Sequence, residues 1–257
     1  MGADVTHQAL WRVAALAMMR PEDLRALLDD TRAALPWIEA AAEAGLAEAQ
    51  VRLGRMLLSG DGVEMDKAAA FGWFARAVAD GDADALNMLG RCHENGWGTV
   101  ANASRAAALY ARAADAGHAW AQYNLGHLLL DGNGVPRDPE TAFHWYSKAA
   151  AQGHERAMNL VARCYEEGWG VGRDPVAART WYKRSAEGAY FRGCYNYATI
   201  LLAEGRTACA LVWFKRALES TPDAARAKML VTLAESTEPS VRALAHGNLA
   251  EATEGLI

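Results

Sequence analysis

Basic charge is in short supply in this chain. Its 26 lysines and arginines stand against 31 aspartates and glutamates, giving a formal net charge of −5 and a sequence pI near 5.8. That is the wrong balance for a surface that neutralises duplex phosphates, so no nucleic-acid partner is expected. Long apolar runs are missing too: none approaches the roughly 18–20 uninterrupted residues that a membrane span needs, and no membrane segment is expected. Near the start, Asp4 and His7 stand where a secretory leader would carry Lys or Arg, and the run from Ala9 to Met19 is broken by Arg12. The expected location is cytoplasmic.

Cysteine is scarce. Cys92, Cys164, Cys194 and Cys209 are too few and too irregular for a disulfide framework. Cys92 and Cys164 occupy one repeat position two repeats apart, well beyond the roughly 7 Å at which a bridge closes, so four reduced thiols filling helix contacts are expected. The signatures of metal and nucleophilic chemistry are absent: there is no His-Glu-x-x-His, no paired Cys-x-x-Cys and no Gly-x-Ser-x-Gly. His118 and His154 share a position in adjacent repeats, while His93, His127, His144 and His246 fall on different elements. Cys92 and His93 are neighbours in sequence, but on a helix they point about 100° apart and read as a packed thiol beside an imidazole. No catalytic residue, cofactor or metal is expected, and the chain reads as a non-enzyme.

Repetition is what the sequence has in abundance. Gly45, Gly81, Gly117 and Gly153 stand 36 residues apart, and four units follow the same text over about 46–81, 82–117, 118–153 and 154–188. The first helix of each carries a small residue at Ala49, Ala85, Ala121 and Ala157 and a pair at Leu53-Gly54, Leu89-Gly90, Leu125-Gly126 and Val161-Ala162. Four-residue spacing puts these on one face, where missing side chains admit a neighbouring helix. The second helix carries Trp73-Phe74, Leu109-Tyr110, Trp145-Tyr146 and Trp181-Tyr182, each followed by a small residue, so large knobs meet small holes.

Between the helices, Gly60, Gly96, Gly132 and Gly168 are placed to end a helix in the left-handed conformation, and Asp66, Asn102, Asp138 and Asp174 stand where an N-cap is wanted. The Gly-x-Gly of each loop reads as a turn and not as a phosphate cradle, because no strand precedes it and it recurs at a structural period.

These residues resemble the Sel-one-like repeat, a relative of the tetratricopeptide repeat in which two antiparallel helices form each unit. The resemblance covers roughly 46–188. Trp181 and Trp213 are 32 apart instead of 36, so over 189–222 the long loop is lost, and Tyr197, Ala198, Leu201, Ala210, Phe214, Ala217 and Pro222 resemble a plain tetratricopeptide motif. The expected fold is all-α: a right-handed superhelical solenoid of antiparallel helix pairs, behaving as one elongated body. Irregular helical caps are expected over 1–45 and 223–257. Within the first cap, helices are expected over about 6–19 and 21–34, with Pro36 breaking or kinking the chain before a short helix to Ala44.

What the resemblance implies about function is a concave face lined by the first helices, with the residue after each Leu-Gly pair pointing into the groove. Arg55, Arg91, His127 and Arg163 hold that position here. Asn87, Tyr123, Asn159 and Tyr195 lie one turn earlier, with Trp120 beside them. Cations, amides and aromatics suit a protein or peptide partner with acidic segments. The competing reading has Arg55, Arg91 and Arg163 paired with Glu94, Glu166 and Glu167 on a solvated face. Trp97 and Trp169, at equivalent loop tips, offer either a second contact surface or packing on the next repeat. The resemblance implies a protein–protein interaction scaffold or adaptor; the alternative is a regulatory or accessory subunit of an enzyme complex.

Overall fold

The computed structural model describes residues 30–254, and among them every regular element is a helix. In chain order these are α1 (Thr31–Glu43), α2 (Ala47–Ser59), α3 (Lys67–Ala77), α4 (Ala83–Asn95), α5 (Ala103–Asp115), α6 (Ala119–Asp131) and α7 (Pro139–Ala151). They continue with α8 (Glu155–Glu167), α9 (Pro175–Glu187), α10 (Phe191–Ala203), α11 (Thr207–Ser220), α12 (Asp223–Ala234) and α13 (Pro239–Glu254). Contacts gather the chain into two compact units, one ending at Asp138 and the other beginning at Pro139. In the first, α2 packs on α3 and α4 on α5; in the second, α8 packs on α9 and α10 on α11.

Each repeat closes the same way. Gly60, Gly96, Gly132 and Gly168 cap α2, α4, α6 and α8 with φ of 76°, 69°, 71° and 76°, a region that a Cβ makes costly. The loop then turns back on its own helix: the backbone N–H of Asp66, Asn102, Asp138 and Asp174 donates to the carbonyl of Leu57, His93, Leu129 and Tyr165 at 2.7–2.9 Å. The side chains of Asp66, Asn102 and Asp174 next accept from the first free N–H groups of α3, α5 and α9, the N-caps that the spacing predicts.

The second loop glycine has a different task. A Cβ built on Gly98 would lie 2.1 Å from the Lys67 carbonyl oxygen, and one on Gly170 would lie 2.0 Å from that of Pro139. Each loop tip therefore seats backbone against backbone on the first turn of the preceding repeat's second helix.

Large and small residues interlock as the pattern implies. Phe74, Tyr110, Tyr146 and Tyr182 are all buried, whereas the Trp preceding three of them is only half-buried. A Cβ on Gly54 would meet the Phe74 ring at 2.5 Å, and one on Gly90 the Tyr110 ring at 2.7 Å. Glycine is what lets the aromatic lie flat against the first helix.

Two expectations near the ends need correction or placement. The expected helix over 6–19, and all but the end of the one over 21–34, lie outside the described residues. Pro36 neither breaks nor ends a helix: α1 begins five residues before it, with Asp30 accepting from Arg32 N and Ala33 N at 3.0 and 3.1 Å. This early cap puts Pro36 just past the first turn, where its missing N–H removes a single rung of the ladder. Towards the other end, α10 and α11 are joined by only Glu204-Gly205-Arg206, and Tyr197, Ala198, Leu201, Ala210, Phe214 and Ala217 are all buried between them.

Candidate functional site

The first helices α2, α4, α6, α8 and α10 carry the residues that the sequence assigns to a binding face, and the structure sorts them into three groups. Arg91 and Arg163 form the first. The Arg91 guanidinium lies over the Trp97 ring at 5.0 Å and Arg163 over Trp169 at 4.8 Å, the same arrangement two repeats apart. Among the described residues no carboxylate comes within ion-pair distance of either arginine. The expected Arg–Glu pairing fails because the glutamates are engaged elsewhere. Tyr110 Oη donates to Glu94 Oε2 and Tyr182 Oη to Glu166 Oε2, both at 2.6 Å. Burial first, and then the glutamate, pushes both phenols far above their ordinary range. Glu167 sits 3.9 Å from exposed Arg173.

Trp97 and Trp169 are accordingly not exposed loop tips. Both are half-buried, and Trp97 packs against the core of the first unit.

Arg55 behaves differently from its counterparts. Its Nη2 donates to both Asp84 oxygens, at 2.5 and 2.6 Å, and Asp84 Oδ1 also lies 3.5 Å from His118 Nε2. His118 Nδ1 meanwhile accepts from Ala121 N at 3.2 Å and so caps α6. A proton on Nε2 follows from that acceptance, and it is aimed at Asp84. The His118 hydrogen bond holds the Asp84 carboxyl below its usual range, helped by Arg55 and opposed by burial. Arg55, Asp84 and His118 thus tie three successive repeats together along this face. His154 Nδ1 caps α8 in the same way, accepting from Ala157 N at 3.1 Å.

Asn87 and Asn159 are not on the exposed stripe at all. Both are 4% exposed, and each accepts from the side-chain amide one repeat on, Asn124 at 3.0 Å and Asn196 at 2.9 Å. They join neighbouring first helices. Tyr195 is half-buried with its ring edge-on to Phe214 at 5.5 Å, and burial raises its phenol. Trp120, Tyr123 and His127 remain as an aromatic row along α6, with centroids 5.9 and 4.6 Å apart and Trp120 42% exposed.

The polar contacts of the first helices therefore alternate from repeat to repeat along the sequence. The stack of a first-helix Arg on a loop Trp, the Tyr–Glu bond, the Asn–Asn bridge and a buried Cys occur in the second and fourth repeats, whereas the stack of Arg76 on Trp73 lies within the second helix of the first. The first and third instead carry Gln50 and Gln122, each donating back to a backbone carbonyl, Ala42 at 3.0 Å and Ala114 at 3.1 Å. The equivalences of Cys92 with Cys164, Arg91 with Arg163 and Trp97 with Trp169 are legible in the sequence; that each arginine pairs with the tryptophan of its own repeat is not.

Burial pushes the Cys92 thiol up to about 11 and Cys164 to about 12, which makes them poor nucleophiles. His93 beside Cys92 is shifted the other way, downward, by burial and by Arg105, and its ring packs edge-on to Phe71 at 5.5 Å. Among the described residues no group of three or more His, Cys, Asp or Glu is placed to hold a metal ion, and no helix is long and apolar enough to cross a membrane.

Comparison with known proteins agrees with this architecture. The Sel1 repeat pattern matches residues 47–82, 83–118, 121–154 and 155–190. No curated protein matches the chain in sequence. Among solved structures, a Sel1 repeat protein from Oxalobacter formigenes aligns with a TM-score of 0.76 at 23% identity, over 90% of this chain and 99% of that one. A protective antigen of uropathogenic Escherichia coli, described as having the same repeat fold, aligns with a TM-score of 0.66 at 26% identity. That alignment covers 85% of this chain and only 50% of the antigen, so the present chain spans about half its length. An immunity protein from Pseudomonas aeruginosa aligns with a TM-score of 0.53 at 19% identity over 76% of this chain and 74% of its own. With the repeat pattern matched over more than half of its residues, the chain belongs to the Sel1 repeat family.

Proposed function

We propose that this chain is a non-enzymatic adaptor that holds a protein or peptide partner through the first helices of its repeats. Sel1 repeats generally mediate contacts between proteins. The observation that carries the reading here is the pair of arginines, Arg91 and Arg163, each stacked on a tryptophan and each without an acidic partner. A guanidinium held over an indole keeps its N–H donors in a fixed plane and loses little freedom when it meets a carboxylate. Solvated arginines of a merely charged surface would instead sit beside the glutamates one turn away. The aromatic row Trp120, Tyr123 and His127 adds an apolar stretch between the two stacks in sequence. Arg55 contributes less to binding because Asp84 already occupies its donors. The four unpaired thiols suit a reducing compartment, which favours a cytoplasmic location.

Copurification from native cells followed by mass spectrometry identifies the partner. The double reversal Arg91→Glu with Arg163→Glu should then lose it, while helicity and melting temperature stay as they were. Undiminished recovery by the double variant would refute the reading.

A further inference from the structure

In the first unit, a cleft of about 410 Å³ lies beside the first helices of two successive repeats, α2 and α4. Leu58, Met65, Met88 and Trp97 supply its apolar surface. Met65 is 55% exposed, an unusual amount of unbranched apolar side chain to leave in water. Methionine adapts its shape to what it meets, so such a lining suits one bulky apolar side chain.

The edge of the cleft is cationic. Arg91 and Lys67 line it together with Arg55, and three carboxylates of the surrounding elements are engaged by other groups. Asp84 is held by Arg55 and His118. Asp66 accepts from Ala68 N and Ala69 N at the start of α3, and Glu94 accepts from Tyr110. Glu64 lines a neighbouring hollow that shares Met65 and Lys67 with the cleft. Among the described residues neither Arg91 nor Lys67 lies within ion-pair distance of an acid, so two positive charges without an ion pair among those residues border an apolar cavity.

We infer that this cleft takes a single bulky apolar side chain from an acidic segment of a partner protein, with carboxylates flanking that side chain held by Arg91 and Lys67. The inference rests on the adaptor reading and names the chemistry of the partner at one place on its face. Apolar burial supplies the anchor and the cations select the flanks.

Fluorescence anisotropy with three synthetic dodecapeptides and the full chain tests it. One peptide is rich in Glu with a central Leu, the second replaces that Leu by Ser, and the third replaces every Glu by Gln. The first should bind, and the other two should bind at least about tenfold more weakly. Lys67→Glu and Met65→Asp, both at exposed positions, should each weaken the first peptide by a similar factor without altering the melting temperature, and added salt should weaken it further. Arg112→Glu, at an exposed position on the second helix α5, should leave peptide affinity unchanged. Absence of binding, equal binding of the Ser or Gln peptide, indifference to Lys67→Glu and Met65→Asp, or equal competition by a single-stranded oligonucleotide would each overturn the inference. The adaptor reading fails by a separate sign: native partner recovered normally by the Arg91→Glu, Arg163→Glu variant. If that variant loses the native partner while the acidic peptide never binds the wild type, the cleft assignment falls and the adaptor reading stands.

Discussion

Asn124 donates its side-chain amide to Oδ1 of Asn87 at 3.0 Å, so a residue placed by sequence on the partner-binding stripe instead joins the first helices of two repeats. Asn87 is buried, and removing its acceptor leaves a polar group without its bond. Asn87→Ala should therefore destabilise the protein by about 1–2 kcal/mol in urea unfolding, and Asn159→Ala should do likewise through Asn196. An unchanged unfolding midpoint accompanied by a large loss of partner affinity would return these residues to the binding face.

Glycine acts at opposite signs in two neighbouring repeats. A Cβ at Gly90 would come within 2.7 Å of the buried Tyr110 ring, so Gly90→Ala must displace that ring and should cost about 1–3 kcal/mol. Gly72, in the middle of α3, is exposed and has nothing within 4 Å of such a Cβ. Gly72→Ala should stabilise by about 0.5–1 kcal/mol through helix propensity alone. Two denaturation curves settle both, and a stabilising Gly90→Ala would mean that the α4–α5 contact is looser than described.

Ala189 stands where Gly45, Gly81, Gly117 and Gly153 stand in the earlier repeats, and it adopts φ of 60°, the one positive φ among the described residues other than glycine. It keeps the turn because the flanking bonds form regardless: its N–H reaches Ala186 O at 2.9 Å and the Tyr190 N–H reaches Ser185 O at 3.2 Å. The left-handed backbone disfavours a Cβ, so Ala189→Gly should raise stability by about 0.5–1 kcal/mol despite the greater freedom of the unfolded glycine. A loss of stability would show that packing of the alanine methyl outweighs the backbone strain.

All four cysteines should titrate as free thiols in denaturant. In the native protein at pH 8 they should separate: Cys209 is exposed and should react first. Burial raises the thiols of Cys92 and Cys164 to about 11 and about 12 and moves Cys194 in the same direction. A raised pKa leaves less thiolate at any pH below it, so these three should react slowly and faster as pH rises. Four equally fast thiols, or a disulfide in freshly purified non-reduced protein, would contradict the packing.

Local features were legible in the sequence and relations between repeats were not. Gly60 and Asp66 announce a helix end and the next helix start because capping is decided by a few consecutive residues. The alternation of Phe74 with Gly54 could be anticipated from volume alone. Arg91, by contrast, reaches Trp97 only because the chain turns back after Gly96, and Tyr110 meets Glu94 only across a packed helix pair. Position after a Leu-Gly pair therefore predicted the same role for Arg55 and Arg91, whereas Asp84 on the neighbouring helix separates them. Pro36 was misread for a related reason: its effect depends on where α1 begins, and that is decided by Asp30.

The central claim is that partners are held by the first helices, and one comparison of affinities tests it most directly. With the copurified partner in hand, its affinity is measured by calorimetry for two double variants, Arg91→Glu with Arg163→Glu, and Arg76→Glu with Arg112→Glu on the second helices α3 and α5. Loss of a desolvated charge-assisted contact is worth about 1.5–3 kcal/mol. The first variant should therefore bind at least about tenfold more weakly and the second as the wild type does, both with unfolding free energies within about 0.5 kcal/mol of it. Weakened binding by the second-helix variant, with the first-helix variant unaffected, would contradict the account.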